Sequence, residues 1–494
     1  AVPALGAGPL TITIDQEGST QNAAISQTGG SGNLAGDDTH PIQQLGVYNT
    51  LTITQTGNDN LVGLAYGGLV QTGTASDDGS FSNSAVINQI SDGNALGALT
   101  QTSADTHATT SNVLAVDQNT GDRNTIGSIT QVQQNGGAQN QATLIEAGRE
   151  NWIESISQRS GSAGDPNQID LELRGNDNGI TGTLDGPSTL DVLALSAGAR
   201  SGMVVQDLAT EGGAGNVVKL TVTGDYNQFG IEQRGTRNVL GPITISGLKN
   251  SLGTYQMGSA NVISMGGIAG DSNDAGIRQI GTANSVTLSL IDEASDNKVG
   301  IGQTGTANTA DLTIDGNSVV AGALQSGYRN KASLTITGDD NVVLGVQANA
   351  DSNTSAGNTM TVSVTGRGNN DPSGPSGGFT GIALAAAAAA PTVTGNLLLA
   401  PDASLMLSEH ELGLSLQPGL LVQWGDADRM TITVGSVARP GDGNAFAAYQ
   451  GGARNTLTAE VYGQQNQFVI VQASDGNDAE LRQDGTANIA VIMQ

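Results

Sequence analysis

The chain lacks cysteine and carries few positive charges. Its 494 residues include 18 Lys and Arg against 46 Asp and Glu, a formal net charge of −28. The absence of cysteine excludes disulfides and thiolate metal sites. A surface that binds phosphates needs the opposite charge, so nucleic acid is not expected as a partner. The longest strongly apolar run, 382–390, is too short to cross a bilayer, and no membrane span is predicted.

Bulky apolar side chains are also scarce. Hydrophobic residues make up 37% of the chain and aromatic residues 3%, whereas Gly reaches 71 residues, roughly twice its usual share. This composition cannot fill several wide globular cores, but it can fill a thin core shared by many similar layers. Disordered chains are usually rich in charge and lack periodicity, and charged residues are only 13% here. The composition therefore favours a repetitive fold.

A Gln-x-Gly-x-x-Asn motif recurs along the chain, and in its clearest series successive glutamines lie 22–24 residues apart. The predicted row comprises Gln233, Gln256, Gln279, Gln303, Gln325, Gln347, Gln450 and Gln483, with Asn238, Asn261, Asn284, Asn308, Asn330, Asn455 and Asn488. Only Gln347 lacks the rest of the motif. Further copies begin at Gln27 and Gln55, the first of them one residue longer.

Between the motifs, apolar residues alternate with polar ones, as in Asn308, Ala310, Leu312 and Ile314. This period of two is typical of strands. We predict an all-β fold, a parallel β-solenoid with two short strands in each coil of about 22–24 residues, because one coil alone cannot bury its inner face. The Asn–apolar–apolar–Gln row must face inward. Buried amides are costly when unpaired, so stacked coils should form in-register Asn and Gln ladders.

The arrangement apolar-x-Gln-x-Gly-x-x-Asn-x-Ala-x-apolar resembles the curlin repeat of bacterial curli fibres. The segments Asn308-Thr-Ala-Asp-Leu and Asn330-Lys-Ala-Ser-Leu match its Asn-x-Ala half. The resemblance implies secretion through an outer-membrane pore, nucleated polymerisation into extracellular amyloid-like fibres, and roles in cell adhesion and biofilm matrix. The implied partners are further copies of the chain, a nucleator and the secretion pore.

The chain departs from the curlin pattern in two respects. Curlins carry Gln on both strands of a repeat, whereas the second strand here often carries Ile or Val, as at Ile245, Ile314, Ile336 and Val364. The chain is also several times longer than a curlin of five repeats. Both departures suit a long relative with a drier core, acting as a main or an accessory subunit.

The chain is predicted to divide into a tail (1–9), solenoid repeats (10–366), an irregular insertion or degenerate coils (367–430), and repeats ending in an uncapped strand (431–494). Unpaired strand edges template further pairing, so the edges predicted to polymerise are Leu10, Ile12 and Ile14 at one end and Asn488, Ala490, Ile492 and Gln494 at the other. Because the chain starts at Ala1, we interpret it as a processed, secreted protein.

No catalytic site and no cofactor are predicted. His40, His107 and His410 show no metal or triad spacing. The acidic turns 57–60, 76–79, 292–296 and 475–478 leave weak Ca²⁺ binding open, although solvated turns are the favoured interpretation. Two other functions also stay open. One is a β-solenoid adhesin stalk that does not polymerise, and the other is a solenoid that binds ice or a surface, because Thr-x-Thr pairs such as Thr431 and Thr433 recur.

Overall fold

The structure, a computed structural model, describes residues 11–64, 68–74, 82–104, 112–134, 139–160, 165–179, 201–207, 215–290, 294–349, 356–372, 378–390, 393–395, 398–399, 405–406, 412–414 and 416–494. The chain divides into two compact units. Of the described residues, those within 11–249 and 255–260 form unit 1, and those within 250–254 and 261–494 form unit 2.

Each unit is built from two parallel sheets, which we name sheet A and sheet B. Sheet A of unit 1 contains β1 (Thr11–Ile12), β2 (Ile14–Ser19), β4 (Leu34–Ala35), β5 (Ile42–Val47), β7 (Leu61–Val62), β8 (Leu69–Gly73), β10 (Ala95–Ser103), β12 (Thr125–Gln133), β14 (Trp152–Ser160), β16 (Met203–Asp207) and β18 (Gln228–Thr236). Sheet B of unit 1 contains β3 (Asn22–Thr28), β6 (Asn49–Thr56), β9 (Asn83–Gln89), β11 (Asn112–Thr120), β13 (Asn140–Ala147), β15 (Asn167–Arg174), β17 (Val217–Asp225) and β19 (Val239–Leu248). Strand β20 (Ser251–Ser259) includes residues of both units.

Unit 2 repeats this plan. Its sheet A contains β22 (Asp274–Thr282), β24 (Lys298–Thr306), β26 (Val320–Tyr328), β28 (Val342–Ala348), β33 (Leu420–Asp426), β35 (Ala445–Ala453), β37 (Gln467–Gln472) and β39 (Ile489–Met493). Its sheet B contains β21 (Val262–Ile268), β23 (Ser285–Leu290), β25 (Thr309–Ile314), β27 (Lys331–Ser333), β34 (Arg429–Val434), β36 (Thr456–Gln464) and β38 (Asp478–Thr486).

Neighbouring strands pair in parallel and place like residues side by side. In β24 and β26, for example, Gln303 pairs with Gln325 and Gly305 with Gly327. The inward residues alternate with outward ones along β25, where Ala310, Leu312 and Ile314 are buried. The predicted all-β parallel solenoid with two strands in each coil is therefore confirmed.

Coil length differs between the units. Successive ladder glutamines of unit 2 lie 22–24 residues apart at several steps, as predicted, but those of unit 1 lie mostly 27–30 apart. In the first coils the extra residues lie between β4 and β5 and between β7 and β8, and in the later coils they lie mainly in the connections from sheet A to sheet B. Strand β8 ends at Gly73 and β9 begins at Asn83, whereas β24 ends at Thr306 and β25 begins at Thr309.

The predicted irregular region, 367–430, contains both an insertion and regular solenoid strands. Asn370 and Gly419 lie on the two sides of the insertion, where Phe446 N donates to Asn370 Oδ1 and Gly419 N donates to Phe446 O. Between them lie α1 (Gly381–Ala389) and two antiparallel pairs. The pairs are β29 (Val393–Gly395) with β32 (Leu412–Leu414), and β30 (Leu398–Leu399) with β31 (Leu405–Met406). Strand β33 then continues sheet A by pairing with β28, and β34 connects to β27 through isolated bridges of Thr359 with Lys331 and Arg429.

Helix α1 covers apolar residues on the outer face of sheet A in unit 2. Ala383, Ala386 and Ala387 are buried in one cluster with residues such as Val422 and Val469. The helix is held at its start because Thr380 N donates to Gln467 Oε1 at 2.9 Å. Within the described ranges, no helix is long and apolar enough to cross a membrane.

Candidate functional site: amide columns and edge strands

Inward-facing glutamines form a column along sheet A, which we name column A. In unit 1 it comprises Gln16, Gln44, Gln71, Gln101, Gln131, Gln158, Gln206, Gln233 and Gln256. In unit 2 it comprises Gln279, Gln303, Gln325, Gln347, Gln423, Gln450, Gln472 and Gln494. Each Nε2 donates to Oε1 of the following glutamine, with distances in unit 2 of 2.8–2.9 Å. Column A therefore has one hydrogen-bond direction within each unit.

The second N–H of each amide reaches a backbone carbonyl across the coil. Gln303 Nε2 donates to Ser285 O at 2.9 Å, and Gln325 Nε2 donates to Thr309 O at 2.8 Å. A primary amide has two N–H donors and a carbonyl acceptor, and each rung inside the column uses all three. This pairing explains how glutamines such as Gln256 are fully buried, since a buried polar group is costly only when unpaired.

Two columns of asparagine follow the corners of the coils. Corner column 1, at the step from sheet A to sheet B, comprises Asn49, Asn83, Asn112, Asn140, Asn167, Asn216 and Asn238 in unit 1, and Asn261, Asn284, Asn308, Asn330, Asn358, Asp428, Asn455 and Asn477 in unit 2. Corner column 2, at the return step, comprises Asn33, Asn60, Asn94, Asn124, Asn151, Asn178 and Asn227 in unit 1, and Asn250, Asn273, Asn297, Val319, Asn341, Asn369, Asn444, Asn466 and Asn488 in unit 2.

The asparagine side chains bind the corner backbone. Asn308 N and Nδ2 both donate to Asn284 Oδ1 at 3.1 Å, and Asn308 Nδ2 also donates to Gly327 O at 3.0 Å. Each asparagine thus satisfies a corner N–H and a corner carbonyl that would otherwise be buried without a partner. The recurring Asn is explained by this double role.

A column at the inner end of sheet B, column B, changes character along the chain. In unit 1 it comprises Gln27, Gln55, Gln89, Gln118, Glu146, Leu173, Val222 and Ile245, and in unit 2 it comprises Ile268, Leu290, Ile314, Ile336, Val364, Val434, Val461 and Gln483. The apolar residues predicted on the second strand do lie there. The first coils instead carry Gln on both sheets.

The residues predicted for the ladder are all found in these columns, but the motif does not identify the sheet. Gln233, Gln256, Gln279, Gln303, Gln325, Gln347 and Gln450 lie in column A, whereas Gln483 lies in column B. Asn488 accordingly belongs to corner column 2, whereas Asn238, Asn261, Asn284, Asn308, Asn330 and Asn455 belong to corner column 1. Any strand that ends in Gln and turns a tight corner produces the same motif.

Sequence reasoning missed most of column A in unit 1. After Gln101 and Gln131 the chain does not turn through Gly-x-x-Asn, so the motif is absent there. A weaker signal was present. An apolar residue precedes Gln by two positions in Leu69 to Gln71, Leu99 to Gln101 and Ile129 to Gln131.

Two columns contain a buried carboxyl group in place of an amide. Glu146 is fully buried in column B, and burial raises the pKa of its carboxyl to about 8 against the hydrogen bond from Gln118. Asp428 is fully buried in corner column 1, and burial raises its pKa to about 6. One oxygen of each carboxyl has no hydrogen-bond partner. These atoms are Glu146 Oε1 and Asp428 Oδ2.

The edge strands named from the sequence expose apolar side chains. Ile12 and Ile14 are 42% and 39% exposed, although Ile42, which pairs with Ile14, is fully buried. Ile489 and Met493 of β39 are 42% and 53% exposed, and Asn488 and Gln494 are exposed as well. Ala490 and Ile492, which pair with the buried Phe468 and Ile470, are half-buried. Leu10 lies outside the described residues.

His40 and the acidic turn at 475–478 make local structural contacts. His40 N donates to Asp37 Oδ1 at 2.6 Å, and hydrogen bonds, the largest from the Thr39 hydroxyl, lower the pKa of Asp37 to about 2. His107 and His410 lie outside the described residues, as do 76–79 and 292–293. Asp475 Oδ1 accepts from Ala453 N at 2.9 Å, so this acidic turn side chain binds the neighbouring coil. No group of three or more His, Asp or Glu that could hold a metal ion occurs in the part of the chain that the structure describes.

The Thr-x-Thr pairs form short outward rows. Thr431 pairs with Thr458, but Thr433 pairs with Glu460. Thr52 and Thr54 of β6 pair with Val86 and Asn88 of β9. The threonine rows are therefore interrupted after a few strands.

Comparison with known proteins adds no relative. A scan against protein-family models and a search of curated proteins both find no match to this chain. The columns and edge strands are therefore the basis of the functional proposal.

Proposed function

We propose that the chain is a structural subunit of an extracellular, curli-like fibre and has no catalytic role. Strand β39 of one copy pairs with β1 and β2 of the next copy, and repeated pairing produces a homopolymer. The observation that supports this proposal most directly is the hydrogen-bond direction of column A, because it makes the two edge strands complementary.

At one edge, the column presents a donor. Inside the column each Nε2 donates twice, as Gln472 does to Thr456 O and to Gln494 Oε1. Gln494 Nε2 donates to Asp478 O at 3.0 Å, so its second N–H is the donor that would continue the column onto another copy. At the other edge, Gln16 Nε2 donates to Gln44 Oε1, so Gln16 Oε1 is the acceptor that continues the same direction.

The apolar residues of the two edges also match. With Gln494 beside Gln16, Ile492 lies beside Ile14 and Ala490 beside Ile12. These are the inward positions of their strands, and the exposed Ile12 and Ile14 side chains would be covered. Burying apolar surface stabilises association by roughly 25 cal/mol for each Å² removed from water, and the main-chain hydrogen bonds of strand addition contribute further affinity.

The biological setting of the proposal comes from the resemblance to curlin repeats. Secretion, adhesion, biofilm matrix, a nucleator and an outer-membrane pore are all carried over from that family. The excess of acidic residues supports fibres that do not bundle sideways, since like charges repel until salt screens them beyond about 8–10 Å.

Replacing Gln494 with Lys should abolish fibre growth while leaving the monomer folded. The charged ammonium cannot enter a dry amide column without a large desolvation cost. Electron microscopy and light scattering of wild type and Gln494→Lys, at equal concentration, measure the effect. Met493→Lys is the matched control, because Met493 faces outward on the same strand and its replacement should leave fibres intact.

The outcomes separate the alternatives. Wild-type fibres should show a repeat of about 4.7–4.8 Å along their axis. Normal fibres from Gln494→Lys would contradict the proposed edge. A wild-type protein that stays monomeric under all conditions would favour the adhesin stalk, and thermal hysteresis of the monomer would favour ice binding.

A further inference from the structure

Glu146 interrupts column B at a position where an amide would satisfy every neighbour. Gln118 Nε2 donates to Glu146 Oε2 at 2.5 Å, but Glu146 Oε1 is buried with no partner. The pairing of β11 with β13 shifts register between Asp117 and Thr120, directly at this rung. On its other side Glu146 pairs with Leu173, which offers no polar group.

The missing group at this rung is a hydrogen-bond donor. Gln55 Nε2 donates to Asn60 O at 2.9 Å and Gln118 Nε2 to Asn124 O at 3.2 Å. By the same register, the carbonyl of Asn151 is the equivalent acceptor for the side chain at 146. An ionised Glu146 offers only acceptors and would set an oxygen against that carbonyl. A proton on Oε1 turns this contact into a hydrogen bond.

Among the described residues of the neighbouring strands, no charged side chain faces Glu146. The inward residues of β11, β12, β14 and β15 around it are apolar residues or amides, such as Leu173 and Gln131. The charged groups of these strands, Asp117, Glu154, Arg159, Asp170, Glu172 and Arg174, lie at outward positions. An unpaired buried charge is far more costly than a buried neutral acid.

Asp428 makes the same substitution in corner column 1 of unit 2. Asp428 N donates to Asn358 Oδ1 at 3.0 Å and Asp428 Oδ1 accepts from Asn455 N at 2.9 Å, as an Asn would. Its Oδ2 takes the place of an amide nitrogen. Asn308 Nδ2 in this column donates to Gly327 O, and the equivalent carbonyl for residue 428 is that of Gly452. Two acceptors therefore face each other unless Asp428 carries a proton.

Burial is the largest cause of the raised pKa of Asp428, and hydrogen bonds from Asn455 lower that pKa in part. Asp426 on β33 and Asp475 in the neighbouring turn are the acidic groups that raise its pKa further, and Tyr449 of β35 faces it as well. Arg429 and Arg454, the nearby basic residues, are exposed.

We propose that Glu146 and Asp428 are protonated rungs, so that each unit needs one bound proton for complete stacking and acid strengthens the fold. The pKa of both carboxyls is raised on folding. This direction agrees with the finding that each carboxyl has one buried oxygen without a hydrogen-bond partner. An acid whose pKa is higher in the folded state holds its proton longer than in the unfolded state. Stability is therefore highest below the unfolded pKa and falls as pH rises towards the folded pKa.

The two rungs have different pH windows. For Glu146 the window runs from 4.5 to about 8, and for Asp428 from 3.8 to about 6. Between pH 5 and pH 8 the Glu146 window lowers the ratio of folded to unfolded protein by roughly a few hundred-fold, and the Asp428 window lowers it by about tenfold.

Two measurements on the full-length chain at pH 5 and pH 8 test this inference. Urea unfolding gives the ratio of folded to unfolded protein, and hydrogen exchange shows whether 112–147 or 423–455 is protected. Glu146→Gln should raise the ratio of folded to unfolded protein at pH 8 by roughly a hundred-fold or more and change it little at pH 5. The variant should also slow hydrogen exchange in 112–147 at pH 8. For Asp428→Asn the gain in the ratio of folded to unfolded protein should be about tenfold larger at pH 8 than at pH 5, with the added protection confined to 423–455. Asp170→Asn and Asp311→Asn, both at exposed strand positions, are the controls for the lower net negative charge.

The inference would be overturned if Glu146→Gln or Asp428→Asn raised the ratio of folded to unfolded protein equally at both pH values. It would also be overturned if the rise were no larger than that from Asp170→Asn or Asp311→Asn. If a variant does not fold, infrared spectra of the wild-type protein at pH 7 decide, because Glu146 is then still protonated and gives a carboxylic-acid band, whereas Asp428 is mostly ionised. These experiments use the monomer and do not depend on whether fibres form.

Discussion

Gly305→Ala should unfold the surrounding coils of unit 2. Gly305 has φ +107, and a Cβ there would lie 2.2 Å from Gly327 O. The left-handed backbone alone costs a residue with a side chain about 1–2 kcal/mol, and the clash with a backbone oxygen adds to that cost. Because Gly281 and Gly327 have the same close approach, the corner cannot relax locally. We expect a loss of about 4 kcal/mol or more in urea unfolding, which is exceptional for one substitution.

Gly476→Ala is the matched control. Gly476 also has a positive φ, +73, but no atom lies within 4 Å of the position of its Cβ. It should lose only the conformational term of about 1–2 kcal/mol. Equal losses for the two variants would show that close stacking of the corners does not limit stability.

Gln303→Leu should be the second large effect. The leucine fits the apolar interior, but it leaves Gln279 Nε2 without its acceptor and Gln325 Oε1 without its donor. Each buried group left unpaired costs about 1–3 kcal/mol, so we expect a loss of about 2–6 kcal/mol in urea unfolding. Hydrogen exchange should rise in β22, β24 and β26 together.

Thr304→Leu controls for the change in polarity. Thr304 is the next residue on the same strand and is exposed, so its replacement should change stability by only about 0.5 kcal/mol. If Gln303→Leu were as mild as Thr304→Leu, the amide column would add specificity of stacking rather than stability.

The repeat pattern predicted those parts of the fold where local and global constraints coincide. Between β24 and β25 a single motif contains the end of one strand, the corner and the first inward residue of the next strand. The fold class, the inward-facing residues and the ladder residues could therefore be predicted from the sequence. In unit 1 the longer connections separate the Gln of one strand from the Asn of the next. The spacing between successive motifs is then irregular, and the sequence around Gln71 or Gln131 does not distinguish it from other strand residues.

Other features depend on contacts between distant segments. That Glu146 and Asp428 are buried carboxyls depends on their neighbours in the stack, which no local motif specifies. The cover by α1 had a sequence signal of another kind. Leu420 to Val422 and Phe468 to Val471 are continuous apolar runs, and such runs indicate strands buried on both faces.

The most direct test of the proposed fibre is site-specific cross-linking between copies. If Gln494 continues column A onto Gln16, Met493 of one copy lies beside Asp15 of the next. Paired Cα atoms on adjacent strands are about 5 Å apart, within the range that a disulfide spans. The natural chain has no cysteine, so a mixture of Met493→Cys and Asp15→Cys chains can form disulfides only between the introduced residues, and each variant oxidised alone measures the links between like copies. Such a mixture should give covalent dimers under mild oxidation, whereas Met493→Cys with Glu17→Cys, two residues out of register and about 8 Å away, should not. Equal cross-linking by both mixtures, or by neither, would contradict end-to-end stacking in this register.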